Sequence, residues 1–196
     1  VFDPTRRHNG DLIAHAAQIG WLPEPVFDAT YGGGKFWSEY QPETLVTNDL
    51  YKPADHSYDY TKPFPVIGLG PFGTVVFDPD YKLQGTGSKV FADMNASYGM
   101  DRDKTPGQRM DDIAAGSVNC AELVAPKGFL LVKCMDQIVC GSFASQTRLV
   151  TDAIEALPGW AFESWLHLPM RSVRPQRSQV KPRNNYSTLL AFRRRR

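Results

Sequence analysis

The residues best suited to chemistry are Asp78, Pro79, Asp80 and Tyr81. They follow Val75-Val76-Phe77, an apolar run with two β-branched residues that reads as a buried strand. Proline cannot continue a central strand, so the run ends there. Carboxylates, a rigid backbone carbonyl and an aromatic ring therefore sit together at the C-terminal end of a strand. In an open α/β sheet that end is where ligands bind. Carboxylate and carbonyl oxygens accept hydrogen bonds, and a tyrosine ring offers a stacking face.

A second group lies nearer the start. Val26-Phe27-Asp28-Ala29-Thr30 reads as a short strand, Gly32-Gly33-Gly34 follows, and Lys35-Phe36-Trp37 opens a helix. Strand, glycine turn and helix are the layout of a nucleotide-type cofactor loop, although a plain tight turn has the same pattern. Glycine lets the backbone come close to a ligand and permits positive φ. Thr44 to Asn48 reads as a second strand ending at Asp49. That carboxylate lies about twenty residues past the glycine turn, the offset of an acid that accepts from ribose hydroxyls. A turn or N-cap aspartate is the alternative.

These groups need a scaffold. Leu12, Ile13, Ala16 and Ile19 recur at helical spacing, which predicts a helix over 6–19 stopped by Gly20. Residues 51–71 have no clear period, with room for a short strand around Tyr58-Asp59-Tyr60. Residues 82–105 also lack a period and directly follow the Asp78–Tyr81 group, which suits a substrate loop. Helices are expected over 106–125 and 143–157, and a buried strand from Gly128 to Cys134. Trp160–Leu168 and Ser187–Phe192 read as a final antiparallel pair. The order predicts one domain over residues 1–196, a three-layer α/β sandwich on a mostly parallel sheet.

The chain of 196 residues is long enough for a full core. No stretch approaches the ~20 apolar residues of a membrane span, and no signal peptide is visible. Val1 opens the sequence, so an initiator methionine was removed or residues precede it. Cys120, Cys134 and Cys140 read as reduced thiols in the core, consistent with a cytoplasmic protein. No metal site is expected: His8, His15, His56 and His167 lack ligand spacing. The net charge of +1 hides an asymmetry. No acid follows Glu163, whereas Arg171, Arg174, Arg177, Lys181, Arg183 and Arg193 to Arg196 do, leaving residues 1–163 at −8. A basic end on an acidic body suggests a polyanionic partner, with a solubilising tail as the bland alternative for Arg193 to Arg196.

Taken together, these segments resemble the methyltransferases that use S-adenosylmethionine (SAM) to methylate exocyclic amines in DNA. They are nearest to the small actinobacterial and actinophage type. Asp28-Ala29-Thr30-Tyr31-Gly32-Gly33-Gly34 resembles the cofactor motif, and Asp49, followed by Leu50, matches the acid after the second strand. Asp59-Tyr60 looks like the pair that contacts the adenine of SAM. Asp78-Pro79-Asp80-Tyr81 resembles the Asp-Pro-Pro-Tyr catalytic motif, with Asp80 in place of the second proline. Lys127 to Cys134 looks like the strand after that motif, and Arg183 to Leu190 like the family's last strand. The resemblance implies a Rossmann-like class I SAM-methyltransferase sandwich with seven strands, the last antiparallel. It implies SAM as cofactor, DNA as partner, and a bacterial or phage-infected cell as the setting.

On that resemblance, Asp78 and the Pro79 carbonyl would accept the two N–H groups of the amine and free its lone pair, while Tyr81 stacks on the base. Adenine N6 is favoured over cytosine N4. Lys82, Lys133, Arg177, Arg183 and Tyr186 would contact substrate. The chain lacks room for a separate target-recognition domain. Target reading then falls to the 82–105 loop and the 171–185 connection, to a homodimer or a separate specificity partner, or specificity is low. Asp80 loosens the loop that proline would stiffen, and its mildest role is to face solvent or bind Lys82. RNA amine methylation and a SAM-fold nucleic-acid-binding protein with impaired catalysis are the alternatives.

Overall fold

The computed structural model describes residues 5–65, 68–83, 104–169 and 184–196. Helix α1 spans Asn9–Gln18 and is followed by strand β1, Val26–Asp28. A single 3-10 turn, Lys35–Trp37, stands where a longer helix was expected. Strands β2, Leu45–Thr47, and β3, Phe72–Phe77, come next. Then follow helix α2, Pro106–Glu122, and strand β4, Val124–Cys134. A small hairpin of β5, Gln137–Val139, and β6, Ser142–Ala144, leads to helix α3, Gln146–Glu155. Strands β7, Trp160–Pro169, and β8, Tyr186–Arg194, close the chain.

The main sheet has the order β2-β1-β3-β4-β8-β7. β1, β2, β3 and β4 pair in parallel. β8 runs against both β4 and β7, so the expected antiparallel last strand is present. The strand count needs correction: the main sheet has six strands among the described residues, not seven. No strand forms at Tyr58–Tyr60; the edge beyond β2 ends in a single bridge, Asn48 to His56. The Asn48 side chain supplies the reason. Its amide donates to the Tyr58 carbonyl at 3.0 Å and accepts from the Tyr58 N–H at 2.7 Å. One side chain thus makes the two bonds a neighbouring strand would make.

Alternation along the strands splits the core into two layers. Phe27, Val75, Phe77, Leu130, Val132, Leu190 and Phe192 face α2 and α3 with Ile113, Val150 and Ile154. Val26, Val76, Phe129, Leu131, Leu189 and Ala191 face α1 and the 3-10 turn with Leu12, Ile13, Phe36 and Trp37. The three layers expected from the sequence are therefore present. Cys120 and Cys134 are buried, as expected, but Cys140 is exposed in the hairpin turn. Arg193 lies over the Phe129 ring, and Arg194 donates to the Val124 carbonyl. Both sit at the end of the sheet opposite the C-termini of the parallel strands.

The close approach of β3 to the segment before β1 depends on Gly73. A Cβ there would lie 2.4 and 2.5 Å from the Pro23 and Glu24 carbonyl oxygens, which are backbone and cannot swing aside. Gly107, in the first turn of α2, has only the Thr105 hydroxyl near, at 3.9 Å. In urea unfolding, Gly73→Ala is expected to lose about 2 kcal/mol or more by overpacking. Gly107→Ala is expected to be neutral or to gain up to about 1 kcal/mol.

Candidate active site

Strand register assembles the floor of the site. Asp28 pairs with Val76, so Thr30 falls opposite Asp78 just past the strand ends. Phe77 pairs with Val132, so Asp78 falls beside Lys133. The alternation that sends Phe27, Phe77 and Val132 to one layer sends Asp28, Asp78 and Lys133 to the other. All three meet under Phe36 and Trp37 of the 3-10 turn.

The contacts bear this out. The Asp78 N–H donates to the Thr30 hydroxyl at 2.8 Å. Lys133 Nζ donates to Asp78 Oδ1 at 3.3 Å and to the Tyr81 hydroxyl at 3.1 Å. It also lies 4.7 Å from the Tyr81 ring centre and 5.6 Å from that of Phe36. Lys133 is only 3% exposed. Burial works against its ammonium, but Asp78 and Tyr81 outweigh that and hold it above the ordinary lysine value. Burial pushes the Asp78 carboxyl up, and Lys133 opposes the rise. Burial likewise raises the Tyr81 phenol.

Asp28 lies beneath the glycine turn rather than in the open. Its Oδ1 accepts from the Thr30 N–H at 2.9 Å and its Oδ2 from Trp37 Nε1 at 2.7 Å. It is 2% exposed, and burial pushes its carboxyl up to about 7 despite both donors. Two of the three glycines hold the turn by conformation: Gly32 has φ +61° and Gly34 has φ +69°. A Cβ on Gly34 would also strike the Tyr31 hydroxyl at 2.7 Å. A Cβ on Gly33 would meet nothing within 4 Å.

A cleft of about 370 Å³ joins the two groups. Ala29, Thr30, Gly32 and Gly33 line one side, and Asp78, Pro79, Asp80 and Tyr81 the other. Asp49, Leu50, Asp59, Tyr60, Lys82 and Lys133 line it as well. Asp28 and Gly34 support its wall from behind. Asp49 Oδ2 accepts from the Gly32 N–H at 2.8 Å, and its Oδ1 from the Tyr51 and Lys52 N–H groups. A carboxylate has about four acceptor positions, so one remains for a ligand hydroxyl. Asp59 is held by Thr61, whose N–H and hydroxyl outweigh burial and lower its carboxyl. Tyr60 packs edge-on against Phe77, and burial raises its phenol.

Other expected residues are placed differently. Tyr186 does not line this cleft; it packs against His167 in a separate groove beneath α3. Arg177 and Arg183 lie outside the described residues, as do most of the 82–105 loop and of the 171–185 connection. Asp80 is half-buried at the cleft and forms an ion pair with Arg109, at 2.5 Å. It also accepts the Lys82 backbone N–H at 3.3 Å. Gln137 and Gln146, absent from the sequence reading, both donate to the Tyr81 carbonyl, at 2.5 and 2.6 Å. Nothing in their local pattern marks them, because the contact joins elements some sixty residues apart. Trp37 had a signal, an aromatic N–H just after the glycine turn. No group of His, Cys, Asp and Glu suited to a metal occurs among the described residues. No helix among them is long and apolar enough to cross a membrane.

No protein-family model matches the sequence, and no curated protein does. Solved structures do resemble it. TrmN from Thermus thermophilus superposes with a TM-score of 0.56 at 10% identity, over 95% of this chain and 48% of that one. The chain thus spans about half the length of TrmN. The N-methyltransferase NodS from Bradyrhizobium japonicum WM9 gives 0.51 at 11% identity, over 96% and 94%. NodS in complex with S-adenosyl-L-homocysteine gives 0.50, over 96% and 86%. The protein has the Rossmann-like α/β fold of SAM-dependent methyltransferases.

The elevated Asp28 carboxyl has a consequence for stability. Between its ordinary value of 3.8 and about 7, the unfolded chain has lost this proton while the folded chain keeps it. Unfolding then releases a proton, so this group's contribution is full at low pH and is lost as pH rises towards 7. Asp28→Asn cannot ionise. In denaturant unfolding, wild type minus Asp28→Asn is expected to fall by about 1 kcal/mol or more from about pH 5 to about pH 8. An unchanged difference would show that Asp28 ionises normally.

Proposed function

We propose that the protein transfers a methyl group from SAM to an exocyclic amine of a nucleobase in DNA, adenine N6 in preference to cytosine N4. The single observation that carries this is the continuous cleft from Gly32-Gly33 to Asp78–Tyr81. The cofactor assignment is supported by the likeness to NodS in complex with S-adenosyl-L-homocysteine. The residues present suit it: a glycine turn open at Gly33, a carboxylate at Asp49 with an acceptor position left, and Asp59 and Tyr60 on the same wall. SAM, when bound, supplies an electrophilic methyl group.

The chain's own residues handle the acceptor. The lone pair of an exocyclic amine is delocalised into its ring, which makes it a poor nucleophile. Asp78 and the Pro79 carbonyl accept its two N–H bonds, favour a tetrahedral nitrogen and stabilise the positive charge that develops. Tyr81 stacks on the base, worth ~1–3 kcal/mol. Thr30, bonded to the Asp78 N–H, ties the cofactor side of the cleft to the acceptor side, so that both are positioned by one framework. In duplex DNA the base must first be turned out of the stack. The Asp80–Arg109 pair supports an active enzyme, because it neutralises the carboxylate that would otherwise repel a phosphate.

Incubation with methyl-labelled SAM and unmodified DNA, followed by nucleoside analysis, is expected to yield N6-methyladenine. Label in RNA alone would move the substrate class to RNA. Label in neither, with SAM bound, would favour a binding protein. Asp78→Asn, which keeps an oxygen beside Lys133, is expected to lower the rate by roughly 100-fold or more with SAM affinity little changed. Retained activity in that variant would remove Asp78 from the chemistry.

A further inference from the structure

Asp80 occupies the place of the second proline in the motif that this segment resembles. A proline there would fix φ near −65° and stiffen the loop. Aspartate imposes no such restraint, yet the loop is held by another means. Asp80 Oδ2 accepts from Arg109 Nη1 at 2.5 Å, with side chains 24% and 14% exposed. Arg109 stands on firm backbone. It follows the first turn of α2, where Thr105 and Gln108 form a reciprocal capping box and Pro106 occupies the start. Beyond Asp80, the Tyr81 carbonyl is gripped by Gln137 and Gln146, and the Leu83 N–H donates to Gln137 Oε1 at 3.3 Å. Arg109 and Asp80 both line the cleft.

We propose that Arg109 is a positioning residue: its ion pair with Asp80 replaces the missing proline ring and fixes the Pro79 carbonyl and Tyr81 in place. The pair ties the loop after β3 to α2, a second anchor besides the Gln137 and Gln146 grip on the Tyr81 carbonyl. Two partly buried charges at contact distance hold each other well, and removing one leaves the other costly. Arg109 therefore acts through Asp80 and not on the substrate. This rests on the methyl-transfer reading above.

The test is a double-mutant cycle with two readouts. In the native background, Arg109→Leu is expected to lower kcat by roughly tenfold or more, as displacement of a reacting group by a fraction of an ångström does, with KM and SAM affinity within about threefold. In the Asp80→Pro background the same substitution is expected to cost less than about threefold, because the ring now supplies the restraint. An equal loss in both backgrounds would mean that Arg109 touches the substrate, and no loss in the native background would mean that the pair positions nothing; either overturns the proposal. Hydrogen exchange at the Leu83 amide needs no substrate. Arg109→Leu is expected to speed it roughly tenfold in the native background and much less in the Asp80→Pro background. Equal exchange in both backgrounds overturns the pairing role even if the protein proves to methylate no nucleic acid. Conversely, absent methyl transfer with the expected exchange pattern would retire the substrate reading alone.

Discussion

A lysine ammonium buried against an aspartate carboxylate is the interaction on which the site depends. An unpaired ammonium in the interior is strongly unfavourable, so Lys133 requires Asp78, and Asp78 requires Lys133. That mutual need locks the ends of β3 and β4 at one register. A slip of one residue between them would put the two side chains on opposite layers and leave both charges unpaired. The same pair sets the electrostatic character of the cleft floor. It holds an acceptor carboxylate in one orientation and places a fixed positive charge beside it.

The remaining contacts extend this lock outward. Thr30 joins the loop after β1 to the backbone of Asp78, so movement of the glycine turn moves the acceptor carboxylate with it. Trp37 and Thr30 hold Asp28 beneath that turn. Asn48 and Asp49 then fix the outer wall, the first through Ala29 and Tyr58 and the second through Gly32. The loop after β3 is held at two points, at Asp80 by Arg109 and at the Tyr81 carbonyl by Gln137 with Gln146. Little of this framework relies on exposed ion pairs, which would be screened and weak.

Much of the fold was legible because strong patterns announced it. The buried runs at Val75–Phe77 and Gly128–Cys134, and the helical spacing around Ile113, fixed the sheet and its covering helix. Boundaries moved by a few residues where propensity was weak, as at β4, which begins at Val124 despite Pro126. The β5–β6 hairpin gave no warning. Its turn, Cys140-Gly141, has both φ values positive, at +48° and +77°, as tight hairpin turns require. Cysteine is not a residue that advertises such a turn. Among the described residues no seventh strand joins the sheet; at Tyr58 the Asn48 side chain bonds the backbone instead, and such a side-chain substitution leaves no periodic trace. At the site, residues on contiguous motifs were readable, whereas Arg109, Gln137 and Gln146 were not. They reach the motif across long sequence separations, and such contacts leave no local signal. Arg193 and Arg194, for which the sequence offered a solubilising tail, instead hold the far end of the sheet.

The central claim is a single cleft that presents the donor, held by the turn after β1, to an acceptor held by Asp78 and Pro79. Its most direct test is a crystal structure of the protein with sinefungin, a SAM analogue that carries an amine in place of the methylsulfonium. The expected result is sinefungin against Gly32-Gly33 and Asp49, its amine pointing at Asp78 and Pro79 with room for an acceptor nitrogen at about 3–3.5 Å from the methyl position. Sinefungin bound elsewhere, or with its amine turned away from Asp78, would contradict it.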